Sequence, residues 1–386
     1  MPRLVISTVG TSLLTNQIDR DIDPDSWSKC LQQTANYTVD EIKKYHEDIS
    51  HIIEKLKNRA EEKLYNDDTE LEEIRELSAE LNGIYGLYNN KLEQGTEDTH
   101  LLVATDTAQA RVTANIVESF LKSNGLNNTS TCIQPGLSIA SSATFIEGMA
   151  KLIPTLQEII IASKSSKYQI YFNLVGGFKA LQGYFNTIGM FYANEIVYVF
   201  EGSNEVIKIP QLPVKVDRSK VEPYKVQLAM MDVGEIPTSW EEAKKVPEEW
   251  VLVDGKEMTL STWGKLIWNQ CKDELLSEDL VKFPKLDYEQ SFCKDYQNTL
   301  DIQERIQLQE RLARAAYLLF KHGDGISALK DDDILRLRRY QNTNIDHINI
   351  TAQTRRVSCK VADGGRLSLR YYGTHEYIYK REGIKK

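Results

Sequence analysis

Apolar residues recur along this chain in two rhythms. Short runs have the length and β-branched content of buried strands: Leu4-Val5-Ile6-Ser7-Thr8-Val9, His100–Ala104, Thr131–Ile133, Ile170–Val175 and Glu195–Phe200. Between them apolar positions fall at i, i+3, i+4 spacing. This holds over residues 26–94, where Val39–Lys44 and Glu70–Leu77 carry charge on the other face, and over Ser141–Thr155 and Leu181–Tyr192. Strands alternating with helices predict an α/β fold with a mostly parallel sheet. Its loops after Val9, Ala104, Cys132 and Val175 would then share one edge, where ligands bind. Residues 26–94 read as a helical insertion after the first strand. Thr105 or Asp106 is the expected N-cap of the helix after Ala104.

The rhythm changes after residue 210. Pro210, Pro213, Pro223, Pro237, Pro247 and Pro284 punctuate a stretch containing a strand and turn, Trp250–Gly255, and an amphipathic helix, Ser261–Leu276. It reads as a small connector, winged-helix-like in its order of elements. From Lys285 a short strand, Leu286-Asp287-Tyr288, leads into helices Glu289–Asn298 and Gln303–Phe320. Three strand-like segments come next: Ile334–Arg339, Arg355–Val361 and Arg366–Tyr372. Asp363-Gly364-Gly365 forms the turn between the last two. Alternation on the first segment puts Arg336 and Arg338 on one side. The expected organisation is 1–210, 211–284 and 285–386, the last an α+β domain.

Two glycine loops stand where the sheet would meet a ligand. Gly10-Thr11-Ser12 follows the first strand, and Gly176-Gly177-Phe178-Lys179 precedes a helix. Glycine admits close backbone approach, and a helix N-terminus offers free N–H groups to phosphate. The spacing fits neither a Walker A loop nor G-x-G-x-x-G. A tight strand–helix turn explains the glycine pair as well as a nucleotide site does.

Composition narrows the field. With 41% hydrophobic and 27% charged residues the chain reads as globular. No apolar run is long enough for a membrane span, and no signal peptide is evident, so a cytoplasmic protein is expected. The five cysteines are scattered, without zinc-finger spacing, and no metal site is expected. The net charge of −9 is uneven: the 53 residues from Ile334 hold 12 basic and 4 acidic groups. A basic end on an acidic body suggests contact with nucleic acid, although a solvated basic surface would look the same.

VISTVGTSLL at the start, VATDTAQAR from Val103 and NLVGGFKA from Asn173 resemble the CRISPR-associated Rossmann-like (CARF) domain over about residues 1–210. That resemblance implies a homodimeric sensor of cyclic oligoadenylate, with cyclic tetra-adenylate the preferred ring. No other cofactor is implied. Gly10, Thr11, Ser12, Thr105, Asn173, Gly176, Gly177, Phe178 and Lys179 would hold the ligand. From Lys285, LDYEQSFCKDYQN, LKDDDILRLRR, TRRVSCKVADGG and YYGTHEYIY are similar to the RelE-type mRNA interferases. This second resemblance implies a metal-independent endoribonuclease acting on mRNA at the ribosome. Arg336, Arg338 and Arg356 would stabilise the phosphorane-like transition state. His375 would be acid or base, and Tyr379 would stack on a base or donate a hydrogen bond. Arg338 and Arg336 stand where the family often has lysine, and the loop near Asn342–Asp346 is longer. Three other readings stay open. Arg370–His375 fits the R-x4-H of HEPN ribonucleases, but Tyr371, Tyr372, Gly373 and Thr374 are poor helix formers. Glu242-Ala243-Lys244 fits the E-x-K of PD-(D/E)xK nucleases. A ligand-responsive transcription regulator would use residues 220–280 to bind DNA.

Overall fold

The computed structural model describes residues 1–200, 205–321, 325–351 and 354–384. It divides into two compact units, Met1–Val214 and Lys215–Lys386. Among the described residues no helix is long and apolar enough to cross a membrane.

The first unit is an α/β sheet with helices. β1 (Arg3–Thr8) is followed by α1 (Ser12–Thr15) and the helical insertion α2 (Ser26–Gln33), α3 (Val39–Tyr45), α4 (Glu47–Leu64), α5 (Leu71–Leu77) and α6 (Ala79–Leu87). Then come β2 (Thr99–Ala104), α7 (Ala108–Ser123), β3 (Thr129–Ile133), α8 (Ser142–Ser165), β4 (Gln169–Asn173), α9 (Lys179–Tyr192), β5 (Glu195–Val199) and β6 (Val206–Pro210). The sheet order is β3-β2-β1-β4-β5-β6. β1 to β5 are parallel and β6 closes one edge antiparallel to β5. Winding reverses between β1 and β4, so a crevice opens beyond their C-terminal ends. α4 buries Ile49, Ile52, Ile53, Leu56, Ala60 and Leu64, the i, i+3, i+4 stripe that its sequence predicts.

Two local readings change. The N-cap of α7 is Thr107, whose hydroxyl accepts from the Ala110 N–H, not Thr105 or Asp106. Asp106 instead pairs with Arg111 at 2.7 Å and accepts from the Gly136 N–H at 2.9 Å. α8 runs ten residues past the expected Thr155, through Pro154. Burial of Leu152, Ile153, Leu156 and Ile160 outweighs the backbone hydrogen bond that proline removes.

The second unit begins with α10 (Arg218–Val221), α11 (Lys225–Val233), β7 (Ile236–Pro237), β8 (Val251–Asp254), β9 (Glu257–Leu260) and α12 (Thr262–Ser277). It continues with β10 (Leu286–Tyr288), α13 (Gln290–Asn298), α14 (Ile302–Lys321), α15 (Gly325–Asp331), β11 (Arg338–Arg339), β12 (Asp346–Asn349), β13 (Arg355–Ala362), β14 (Arg366–Thr374) and α16 (His375–Glu382). Residues from Val221 to Tyr372 share one hydrophobic core, so the stretch read as a connector packs with the elements after Lys285. The larger sheet has the order β10-β14-β13-β12-β11. Ile348, Val357, Leu367 and Leu369 belong to that core. The alternate residues Arg338, His347, Ser358 and Tyr371 stand opposite one another in register on the other face, where α16 lies, and Arg356 is two residues along β13 on that same face.

Two expectations about this sheet fail. Ile334–Arg339 is not one strand: only Arg338 and Arg339 pair, with β12. Asp332 accepts from the Ile334 and Leu335 N–H groups and from Arg314, holding the chain in a turn. Arg336 consequently has φ of +47°, and its Nε donates to the Asp333 carbonyl at 2.8 Å. Arg336 and Arg338 therefore do not share a strand face. β12 was not anticipated.

Candidate functional site

Two constellations stand out, one in each unit. In the first, the ends of β1 and β4 meet at the switch point. A Cβ on Gly10 would lie 2.9 Å from the Gly177 nitrogen, and one on Gly176 would overlap the Glu80 carboxylate. Gly177 has φ of +93°. The glycines thus let two loops and α6 press together, a packing need that any ligand role would share. Around them is a cavity of about 330 Å3 lined by Gly10, Thr11, Ser12, Thr15, Ala79, Val175, Gly176, Gly177 and Phe178. α9 opens on it. Phe178 is the N-cap and supplies no side-chain acceptor, and the exposed Lys179 begins the helix. Uncapped N–H groups beside a lysine suit an anion.

Not all the expected residues line this cavity. Asn173 is fully buried; its Nδ2 donates to Ser7 Oγ at 3.2 Å and to the Glu80 carbonyl at 3.0 Å. It ties β4 to β1 and α6. Thr105 is also buried, 3.3 Å from the Thr107 hydroxyl. Glu80, by contrast, was not foreseen. Its buried carboxylate accepts from the Gly10 N–H at 2.6 Å and from the Ser78 hydroxyl at 2.7 Å. That amide of the first glycine loop is therefore engaged inside the protein. No spacing rule marks Glu80, because its partners come from the glycine loop after β1 and from its own helix cap.

In the second unit, Arg338, Arg356, His375 and Tyr379 converge on the sheet face covered by α16. Tyr340 and His347 join them. Tyr340 is buried, and its ring stacks on His347 with centroids 4.4 Å apart and planes at 27°. It meets Tyr379 edge-on at 5.2 Å and His375 at 6.1 Å; His375 and Tyr379 are 4.3 Å apart. The Tyr340 hydroxyl faces Arg356 without a well-formed hydrogen bond. Burial raises the Tyr340 pKa, and Arg356 opposes that shift. Burial first, then the charges of Arg356, His375 and Arg338, pull His347 down to about 4. Arg336 stays outside this group, in the turn.

α16 is held in place by a charge lattice. Arg370 donates to Glu382 at 3.0 and 3.1 Å and to Glu289 at 3.1 Å, and Ser358 Oγ donates to Glu382 at 2.7 Å. Arg370 lies in β14 and His375 starts the next helix, so R-x4-H straddles a strand–helix junction. Ala243–Lys245 is a short 3-10 turn, and Lys244 pairs with Glu241 at 2.6 Å.

A basic, aromatic face with two imidazoles can bind phosphate, stack bases and move protons. Part of the first unit is similar to a known family. Residues 75–212 match the family model of a CRISPR-associated protein (Cas_APE2256). The matched segment runs from α5 through β6. It contains Glu80, Asn173 and the Gly176–Lys179 loop, while Gly10–Ser12 lies before it. Over these residues the chain is similar to a CRISPR-associated protein.

Proposed function

We propose that this chain is a ligand-activated endoribonuclease of type III CRISPR defence, its first unit a CARF-like sensor of cyclic oligoadenylate and its second a RelE-like mRNA interferase. The observation that carries the reading is the meeting of Arg338, Arg356, His375 and Tyr379 on one sheet face. They come from β11, β13 and α16, and the interferase resemblance named all four. The family match over 75–212 and the glycine-lined cavity support the sensor half.

In the proposed reaction the ribose 2′-oxygen attacks the adjacent phosphorus and the 5′-oxygen leaves, giving a cyclic phosphate and a 5′-hydroxyl. The guanidinium groups of Arg338 and Arg356 stabilise the charge that builds on the phosphoryl oxygens. His375 exchanges protons with the reacting oxygens, and Tyr379 supports a base by stacking. Ribosome-bound mRNA is the proposed substrate, because the ribosome can help align the 2′-hydroxyl for in-line attack. A homodimer would place a two-fold-symmetric ring, preferably cyclic tetra-adenylate, across its axis. The ligand activates by binding the cleavage-competent arrangement more tightly than the resting one.

The test combines purified protein with cyclic tetra- or hexa-adenylate and assays naked RNA and translating ribosomes. Ligand-dependent cleavage of ribosome-bound mRNA is expected. EDTA, titrated so that ribosomes stay intact, should leave it unchanged. Equal cleavage with and without messenger would remove the sensor function, and no cleavage under any condition would remove the nuclease.

A further inference from the structure

His347 does more than fill the second unit's sheet. It is 8% exposed, yet its Nδ1 has no hydrogen-bond partner. Packing alone does not favour a buried, unpaired imidazole nitrogen. Every element around the ring presents a polar or charged group. Arg338 comes from β11, Arg356 and Ser358 from β13, and His375 from α16; the Tyr340 ring lies flat against it, with Tyr379 edge-on to Tyr340. His347 and His375 flank that same tyrosine ring.

We propose that His347 is the general base of the RNA-cleaving site, taking the 2′-hydroxyl proton while His375 delivers one to the leaving 5′-oxygen. The inference rests on the ribonuclease reading above. The step balances without a further reactant. The 2′-oxygen–phosphorus bond forms as the 2′-proton moves to His347, and the phosphorus–5′-oxygen bond breaks as His375 supplies a proton to that oxygen. Environment separates the two imidazoles. His347 is buried beside the Tyr340 ring, and burial with the charges of Arg356 and Arg338 keeps it neutral, free to accept; His375 is partly exposed on α16. Bound phosphate would offset the arginine charge, making His347 more basic once substrate is in place. With no partner on Nδ1, the tautomer is not fixed from behind, and the Tyr340 stack is what orients the ring.

Single-turnover cleavage by the full-length, messenger-bound protein on ribosomes tests this. His347→Ala should slow cleavage by at least about 100-fold and erase the acid limb of the pH–rate profile, and added imidazole should restore part of the rate. His347→Phe keeps a flat ring against Tyr340 but has no nitrogen, so it should be equally slow; it carries the test if the alanine variant fails to fold. An mRNA with sulfur replacing the 5′-bridging oxygen needs no leaving-group proton. It should rescue His375→Ala and leave His347→Phe slow. Wild-type rate and pH profile in His347→Phe would overturn the proposal, as would rescue of that variant by the sulfur substrate. Absence of cleavage by the wild type would instead sink the ribonuclease reading itself.

Discussion

At the scale of single residues, Arg336 and Arg356 should prove unequal. Arg356 lies on β13 beside Tyr340 and His347, whereas Arg336 lies in a turn with its Nε on the Asp333 carbonyl. Arg356→Ala should lower messenger-dependent cleavage about 100-fold or more, the usual loss when a transition-state donor is removed. Arg336→Ala should cost less than about tenfold, through RNA binding alone. Matched kcat and KM values for the two variants check this; comparable kcat losses would return Arg336 to the site. The arginine-rich segment shows where sequence reading stops. Alternation of leucine and arginine from Ile334 is a strand pattern, but the turn is imposed by Asp332 and by Arg314 on another helix. Tyr340 and His347 carried no signal either, because their meaning depends on the β11–β12 pairing. Arg338, Arg356, His375 and Tyr379 were legible only through a family resemblance.

At the scale of elements, α16 depends on β14 through Arg370. The Glu382 side chain is 2% exposed and accepts from both Arg370 and Ser358. Removing one partner of such a pair leaves the other buried and unmatched, which costs about 3–5 kcal/mol where burial is complete. Arg370 retains 22% exposure, so Glu382→Gln should destabilise the second unit by less, about 2 kcal/mol. Urea denaturation measures this. His375 and Tyr379 ride on α16, so cleavage should fall with no change in messenger affinity; an unchanged rate would mean that the helix does not carry the chemistry. Elements were read more reliably than residues. α4, α12, α13 and α14 were legible because one apolar stripe determines each. β12 was missed because Asp346-His347-Ile348-Asn349 has a single apolar residue, and neighbouring strands supply the rest of its stability.

At the scale of the whole molecule, each unit contains a histidine that folding keeps neutral. In the first, the Tyr88 hydroxyl donates to Asp98 at 2.8 Å and sits 2.9 Å from His100 Nε2. The hydroxyl has one proton, so Nε2–H must donate to it. Burial pulls His100 down to about 3, and His347 stands at about 4. Unfolded histidine binds its proton near pH 6.5. From about pH 6.5 down to about 3 for His100 and about 4 for His347 the unfolded chain therefore holds more protons, and stability falls as pH falls; above that window the contribution is complete. Both units should lose a few kcal/mol on going from pH 7 to pH 4. His100→Gln should flatten this slope for the first unit only, as followed by denaturant melts of the full chain. An unaltered slope would place the acid sensitivity elsewhere. A Cβ at Gly176 would collide with Glu80, so Gly176→Ala should abolish messenger binding in calorimetry. Full-strength binding by a folded Gly176→Ala would move the ligand away from this cavity.

The larger sheet of the second unit places β14 between β10 and β13, although β10 precedes it by almost eighty residues, and α16 comes later still. A nascent chain thus cannot close this sheet, or bring His375 and Tyr379 to Arg356, until β14 and α16 have emerged from the exit tunnel. Earlier segments fold first during synthesis. On the proposed function, a ribosome translating this message would work beside a sensor that is already formed and a blade that is not yet assembled. On that same proposal, products truncated before α16 would lack an assembled cutting site.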